Sequence, residues 1–364
     1  MIYLDNSEAT LMTADVIDAV NQWANHGSVY SKHSNSMSAQ KMIQSFKQRL
    51  SLECGFELKG PDSFNIYFTG NSADSNEMII TSTVRSFAMK TGRMPHIITS
   101  SNEHKSIIDC CNRLQKEKLC QLTILRDATP KAINATIRPN TCLISIAAAY
   151  KNGMVNNIRE LAKNKKIPFH SDASYIFGKS SFNPNDLYID AFSVSFDLLN
   201  GPQLGALIIR KKFVDGYDLY LNSIENIQLI GGANVAYKNA MEGRAEKNMH
   251  LQKCRTLIKN TFDKKFICKR IGDATPSPTT DKCELFWITP NIEYTLPHIL
   301  TFTIHNPKKV IDNEKIRDQL EKKNIILGTP PHGCDKNTFY ISLCDSIEID
   351  EIKKFLCEFL KVIM

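Results

Sequence analysis

The stretch from Ile167 to Arg210 constrains the fold of this chain more than any other. It opens as IPFHSDASYIFGK and closes as DAFSVSFDLLNGPQLGALIIR. One short apolar run ends on an acid, Asp172. A second, Ala191 to Ser195, ends on a polar turn and Gly201-Pro202. A third, Ala206 to Ile209, follows directly. Short apolar runs bounded by turn residues read as buried strands, and strand ends that project polar side chains are where open α/β sheets bind ligands. Three core strands joined by ordinary turns would leave the same pattern.

The chain has 364 residues, enough for a large core and two domains. With 42% hydrophobic and 23% charged residues it reads as an ordinary globular protein. The net charge of +7 is carried by scattered lysines, which points only to acidic partners in general. No basic block with interleaved aromatics is present, so nucleic acid is not the expected partner. Eleven cysteines, an odd number without a CxxC pair, favour reduced thiols over a disulfide framework or a metal site. No signal peptide opens the chain and no apolar run is long enough to span a bilayer. The expected setting is therefore the cytoplasm, with no membrane partner.

Read in order, Ile2 to Asn6 is a strand leading into a turn, and Thr13 can cap a helix carrying Val16, Ile17 and Val20. Met37 to Leu50 reads as an amphipathic helix and Asn65 to Thr69 as a strand. Gly70 to Asn76 turns into a helix over about Glu77 to Lys90, with Ser72 or Asp74 as the cap. His96–Thr99, Leu122–Leu125 and Cys142–Ala147 read as strands. Ser106–Lys116 and Asn157–Lys166 read as helices. Beyond Arg210, helices are expected over Met249–Phe262, Ile311–Lys323 and Glu348–Leu360. Strands are expected over Leu300–Ile304, Ile325–Gly328 and Phe339–Leu343. A β/α segment after a large βα array implies a second, smaller domain.

HSDAS followed by S-V-S-x-D-x-x-x-G-P-x-x-G-A-L resembles the NifS-like, cysteine desulfurase branch of the class V aminotransferases. Further motifs occur in the family's order: YLDN at Tyr3, GSVYSKH at Gly27–His33, GNSADSN at Gly70–Asn76, EHKS at Glu103–Ser106, and GTPPHGC at Gly328–Cys334. The resemblance implies an α/β protein of the PLP-transferase type I fold (aspartate aminotransferase-like). It would have a large α/β domain with a mostly parallel central sheet and a smaller C-terminal α/β domain. The expected bounds are an N-terminal segment at 1–14, the large domain at 15–246 and the small domain at 247–364.

The resemblance also assigns roles around pyridoxal phosphate (PLP). Asp172 would pair with the pyridinium nitrogen and His104 would stack on the ring. Tyr175 takes the place of a residue that contacts the ring oxygen. Ser72, Ser195 and the residue at Asp197 would lie at the phosphate, and Cys334 would be the persulfide-forming nucleophile, for which a surface-loop thiol is the plainer reading. Several positions depart from the family. Leu198 replaces the Schiff-base lysine and Asp197 replaces a phosphate-binding histidine. Ala73 stands at a threonine, and Ala149-Tyr150 at two asparagines. Tyr340 stands at the arginine that holds the substrate carboxylate. An arginine-bearing loop is reduced to Gly231-Gly232.

These losses fall in one pocket. They lead to the expectation of a catalytically inactive, NifS-like pseudoenzyme that forms a homodimer, has no cofactor and acts as a binding or interaction module toward an unknown protein partner. The alternatives are a divergent PLP enzyme that uses another lysine, such as Lys151, or holds PLP without a covalent link, and a PLP-independent sulfur carrier using Cys334. The abundance of Lys, Asn and Ile suits an AT-rich genome such as that of a large DNA virus, for which the setting would be host cytoplasm or virion.

Overall fold

The computed structural model describes residues 1–26, 28–56, 60, 62–163, 166–270, 282–288, 295–331 and 334–364. Gly27 of the GSVYSKH motif and His332-Gly333 of GTPPHGC lie outside them. The chain runs β1 (Ile2–Leu4), α1 (Ala14–Trp23), α2 (Ser34–Glu53), β2 (Phe64–Thr69), α3 (Ser72–Thr91), β3 (His96–Ser100), α4 (Lys105–Lys116), β4 (Gln121–Leu125), α5 (Pro130–Thr136), β5 (Thr141–Ser145) and α6 (Ile158–Ala162). It continues through β6 (Phe169–Asp172), β7 (Ala191–Ser195), β8 (Gly205–Arg210), α7 (Lys211–Tyr217), α8 (Ile227–Met241), α9 (Arg244–Lys265), β9 (Ile267–Arg270) and β10 (Glu284–Trp287). The last elements are β11 (Ile299–His305), α10 (Asn313–Glu321), β12 (Ile325–Leu327), β13 (Thr338–Ser342) and α11 (Ile349–Ile363). Among the described residues no helix is long and apolar enough to cross a membrane.

Two compact units result. One comprises Leu11–Tyr150 and Asn156–Glu242, the other Met1–Thr10, Lys151–Val155 and Gly243–Met364. Of the segment expected at 1–14, Met1–Thr10 fall in the unit that holds the C-terminal residues, where β1 adds in parallel to β12.

The larger unit is built on a seven-stranded sheet in the order β2-β8-β7-β6-β5-β3-β4. The run from β7 to β4 is parallel, and β8 is antiparallel to both β2 and β7. Strands β3, β5, β7 and β8 are buried along their whole length, as strands covered on both faces must be. One face packs Ile79, Ile80 and Val84 of α3 with Ile107, Cys110 and Cys111 of α4. Aromatic pairs cover the other, with Phe46 of α2 stacked 5.7 Å from Phe68 and Tyr237 of α8 stacked 5.3 Å from Phe177.

The smaller unit carries a four-stranded sheet, β13-β11-β10-β9, and a two-stranded one, β1-β12. Its core joins Phe262 of α9, Phe302 of β11, Phe339 of β13 and Phe359 of α11.

Several local expectations are corrected. Thr13 occupies the N-cap of α1, but its hydroxyl donates to the Asp15 carboxylate at 2.5 Å instead of accepting a backbone N–H. α3 begins earlier than expected, and its cap is Asn71, whose Oδ1 accepts from Asp74 N at 2.9 Å; neither Ser72 nor Asp74 plays that part. α6 is only five residues long, because Lys163 turns extended. Gly231 and Gly232, read as the remnant of a loop, sit inside α8. A Cβ there would meet Trp23 or Val20 of α1 at under 3.0 Å, so the pair lets two helices touch.

Candidate functional site

Strand ends of the larger unit gather polar side chains where the strand order reverses. β3 has β4 on one side and β5 on the other, so the chain switches direction there, the position at which open α/β sheets take ligands. Glu103 and His104 follow β3, Tyr150 follows β5, Asp172 closes β6 and Ser195 closes β7.

Asp172 is buried and held from both sides. Its Oδ2 accepts from Asn76 Nδ2 at 2.7 Å. Its Oδ1 accepts from the backbone N–H of Ser174 at 3.0 Å and from the Ser174 hydroxyl at 2.6 Å. Asn76 Nδ2 also donates to Ser106 Oγ at 3.2 Å, which ties α3 to α4. The other end of this amide, Oδ1, is buried without a hydrogen-bond partner. Such an atom costs about 1–3 kcal/mol in a folded protein, which marks the spot as one where packing was set by something other than stability. Asn76 was not singled out in the sequence; its signal was a single amide among the polar residues of Gly70–Asn76.

A second acid stands close by. Both carboxyl oxygens of Glu103 lie 3.0 Å from the backbone N–H of Ala147, which donates to them. Burial pushes the Glu103 pKa well above the ordinary carboxylate range. The Ala147 N–H opposes that shift and the charge of Asp172 adds to it. Ser100 Oγ meets the Tyr150 hydroxyl at 2.9 Å, and burial pushes that phenol up to about 12. Asn156 Nδ2 donates to Ala147 O at 2.7 Å, so this corner is braced through backbone.

His104 is exposed at the N-cap of α4. Its Nδ1 accepts from Ser106 N–H at 3.2 Å and lies 2.8 Å from Ser106 Oγ. Tyr175 is half-buried in the turn after Asp172. Ser72 is half-buried at the first position of α3. The β2–α3 turn rests on β8 because Gly205 has no side chain: a Cβ there would lie 2.3 Å from Asn71 C and O.

The turn after β7 carries Asp197 and Leu198. Phe196–Leu199 is a single 3-10 turn closed by Asn200, which adopts a left-handed φ of 58° and donates from Nδ2 to Leu11 O at 2.7 Å. Ser195 Oγ donates to Asp197 Oδ1. Burial raises the Asp197 pKa, while the Ser195 hydroxyl, the turn's own N–H groups and the charge of Lys179 oppose the shift. Leu198 is 5% exposed and belongs to the apolar core.

For PLP, the residues present fit one end of the molecule and not the other. Asp172, clasped by Asn76 and Ser174, suits a protonated ring nitrogen. At the opposite end Leu198 offers no amine. At the position that the resemblance gives to the phosphate, Asp197 would bring a carboxylate, which offers no donors when ionised, and the Ser195 hydroxyl already donates to that carboxylate.

In the smaller unit, Cys334 is an exposed residue with a partly covered sulfur, and its backbone N–H donates to Pro331 O at 3.3 Å. Burial of the sulfur and then Asp335 raise its pKa, with Lys151 opposing; an activated thiolate would need the reverse. Tyr340 is fully buried and donates to Lys151 O at 2.7 Å. Lys151 itself belongs to this unit, with its ammonium paired to Glu8 and 5.7 Å from the centre of the Tyr340 ring. The nearby Asp5 is pushed up to about 6, first by burial and then by Glu8.

Comparison with known proteins bears on the family and the fold. The family model described as Aminotransferase class-V matches residues 2–239. The chain is 30% identical over 223 residues to a mitochondrial cysteine desulfurase of Arthroderma benhamiae, covering 58% of this chain and 43% of that one. It is 30% identical over 224 residues to the cysteine desulfurase IscS of Rickettsia typhi, covering 58% and 52%. The matched region thus spans about half the length of these curated relatives. Among solved structures, a NifS-like protein superposes with a TM-score of 0.82 at 21% identity, over 100% of this chain and 99% of that one. A NifS-like protein from Rickettsia africae gives 0.80 at 20% identity over the same shares. These two likenesses speak for the fold, the PLP-transferase fold. With that family model over most of the chain and that fold, the chain belongs to the class V aminotransferase family.

Proposed function

We propose that this chain is a NifS-like protein that has given up PLP-dependent cysteine desulfuration and works as a binding or interaction module. The observation that carries the reading is the turn at Ser195–Leu199. Leu198, at the position of the Schiff-base lysine, is packed into the core. The adjacent Asp197 carboxylate takes up the Ser195 hydroxyl that would otherwise face an anion. Tyr340 at the substrate-arginine position offers a phenol already committed to Lys151 O. The vestigial ligand set under this reading is His104, Asp172, Ser195, Ser72, Asp197 and Tyr175, with no cofactor resident and Cys334 an ordinary loop thiol.

A second reading keeps PLP, bound without a covalent link or through another lysine. The intact clasp of Asn76 and Ser174 on Asp172 favours it. Lys151 is a poor amine for that role, because its ammonium pairs with Glu8. The assay that separates the readings is sulfide release from cysteine with added PLP. Release at background supports the module. Turnover that disappears on Cys334→Ala supports the enzyme.

The same reading includes a homodimer, the commonest closed assembly. Leu11, Ile17, Tyr30 and Met37 expose apolar surface near the start of the larger unit, in support of a partner there. Light scattering at micromolar concentration returns twice the chain mass if this holds and the single-chain mass if it does not.

A further inference from the structure

At one end of the four-stranded sheet, where β11 ends and β13 begins, lies a depression of about 480 Å³. It is lined by His305, Asn306, Lys308, Lys309, Lys336 and Asn337, together with Pro307 and the apolar residues beside them. Four of the lining side chains are basic and none is acidic. Among the described residues, none of the four forms an ion pair, although ion pairs are common elsewhere on this chain. Three lysine ammonium groups around one concavity give it a positive potential that favours an anion.

The walls are fixed. Asn306 Nδ2 donates to Ile363 O at 3.2 Å and its Oδ1 accepts from Lys308 N at 2.9 Å. Asn337 Nδ2 donates to Ile304 O at 3.0 Å, and Ile304 N returns a bond of 3.0 Å to Asn337 O. Asn313 N donates to Lys336 O at 2.7 Å and its Nδ2 to Thr338 O at 2.7 Å. Lys309 Nζ spends one donor on Val362 O at 2.7 Å and keeps two. The loop that carries the ammonium groups is therefore tied down by side-chain amides before anything binds, which lowers the ordering cost of binding. The lysine field reaches into the fold: Lys309 and Lys308 both oppose the burial that raises the Cys283 thiol.

We propose that this depression is a binding site for a small polyanion of the di- or triphosphate class. The size falls within the ordinary range for small-molecule sites. Lysines bind phosphate as point charges, without the bidentate geometry of an arginine fork, and no arginine lines the site. No aromatic residue lines it either, so it offers no platform for stacking a base. The polyphosphate itself is the recognised part, whether free or at the end of a larger molecule. The site lies in the smaller unit and is independent of the reading of Asp172 and Leu198.

The test is calorimetric titration of the full chain with inorganic pyrophosphate, tripolyphosphate, ATP and citrate. A Lys308→Gln/Lys336→Gln variant and a Lys105→Gln control, whose lysine lies in the larger unit, are run beside it. Saturable pyrophosphate and tripolyphosphate binding, about tenfold or more weaker in the double variant and unchanged in the control, supports the site. ATP no tighter than tripolyphosphate places recognition in the phosphates. Citrate binding as tight as tripolyphosphate, equal loss in the control, or no saturation by pyrophosphate at millimolar concentration overturns it. So does a single-stranded RNA oligomer that binds tighter than tripolyphosphate with the same variant dependence. Unchanged far-UV circular dichroism of the double variant assigns the loss to charge.

Discussion

Asn76 and Asp172 make the clearest quantitative prediction. The amide and the acid are both buried, and Asn76 Nδ2 lies 2.7 Å from Asp172 Oδ2. A hydrogen bond to a carboxylate contributes about 1.5–3 kcal/mol, more than a neutral pair. Asn76→Ala removes that bond but also removes the buried Oδ1 that has no partner, a change that returns about 1–3 kcal/mol. The single substitution is therefore expected to destabilise by less than the bond it breaks. A double-mutant cycle with Asp172→Ala separates the two, because relief of the orphan oxygen enters both Asn76→Ala steps and cancels. The expected coupling is about 1.5–3 kcal/mol, measured by urea unfolding of the four proteins at one pH. A coupling below about 0.5 kcal/mol, the value for independent sites, would refute the clasp.

Two pH predictions follow from the buried groups. Glu103 has a folded-state pKa raised above its unfolded value, so the folded state holds a proton that the unfolded chain releases. Its stabilisation is full below the unfolded pKa and is lost as pH rises through the folded one. Glu103→Gln, which keeps the neutral form at every pH, should gain stability over wild type as pH rises from about 4.5 to 7, and a gap that stays flat in melting temperature contradicts this. His170 has the opposite sign. Burial depresses its pKa to about 4, and its ring nitrogens lie 2.9 Å from Ser145 Oγ and 3.0 Å from Ser193 Oγ. The folded state therefore binds fewer protons, and the stability this contributes should disappear as pH falls from about 6.5 through the depressed value. A His170→Gln variant should lose that acid dependence; unchanged acid melting would place its cause elsewhere.

What the sequence made legible follows from how local each signal is. β7 is bounded by the residues its apolar run marks, Ala191 and Ser195, because burial of a central strand leaves an unbroken pattern. Asp172 at the end of β6 was legible for the same reason. Choices among equivalent neighbours were not. Asn71, Ser72 and Asp74 can all cap a helix, and the cap is Asn71, at the point where the turn backbone lies against Gly205. Thr13 lost its capping bond to Asp15, a competition between two side chains that spacing does not settle. Gly231-Gly232 read as loop because the reason for both glycines lies on α1, more than two hundred residues earlier in the chain. Lys151, offered as a spare amine, belongs with β1 and β12 in the smaller unit and is held there by Glu8. Asn76 and Glu103 went unassigned because their importance lies in contacts with Asp172 and Ala147, far apart in sequence.

The central claim is that the turn after β7 no longer accommodates PLP. An ionised carboxylate about 5 Å from a phosphate repels each unit charge by roughly 3 kcal/mol at an effective dielectric of about 20. That amounts to about two orders of magnitude in affinity, reduced to the extent that the raised pKa of Asp197 keeps it neutral. The deciding measurement is a PLP titration followed by visible absorbance on wild type, Leu198→Lys, and Leu198→Lys with Asp197→His. The account predicts no tight binding by wild type and the strongest absorbance change in the double variant, where amine and phosphate donor return together. Tight PLP binding by the wild-type chain would contradict it.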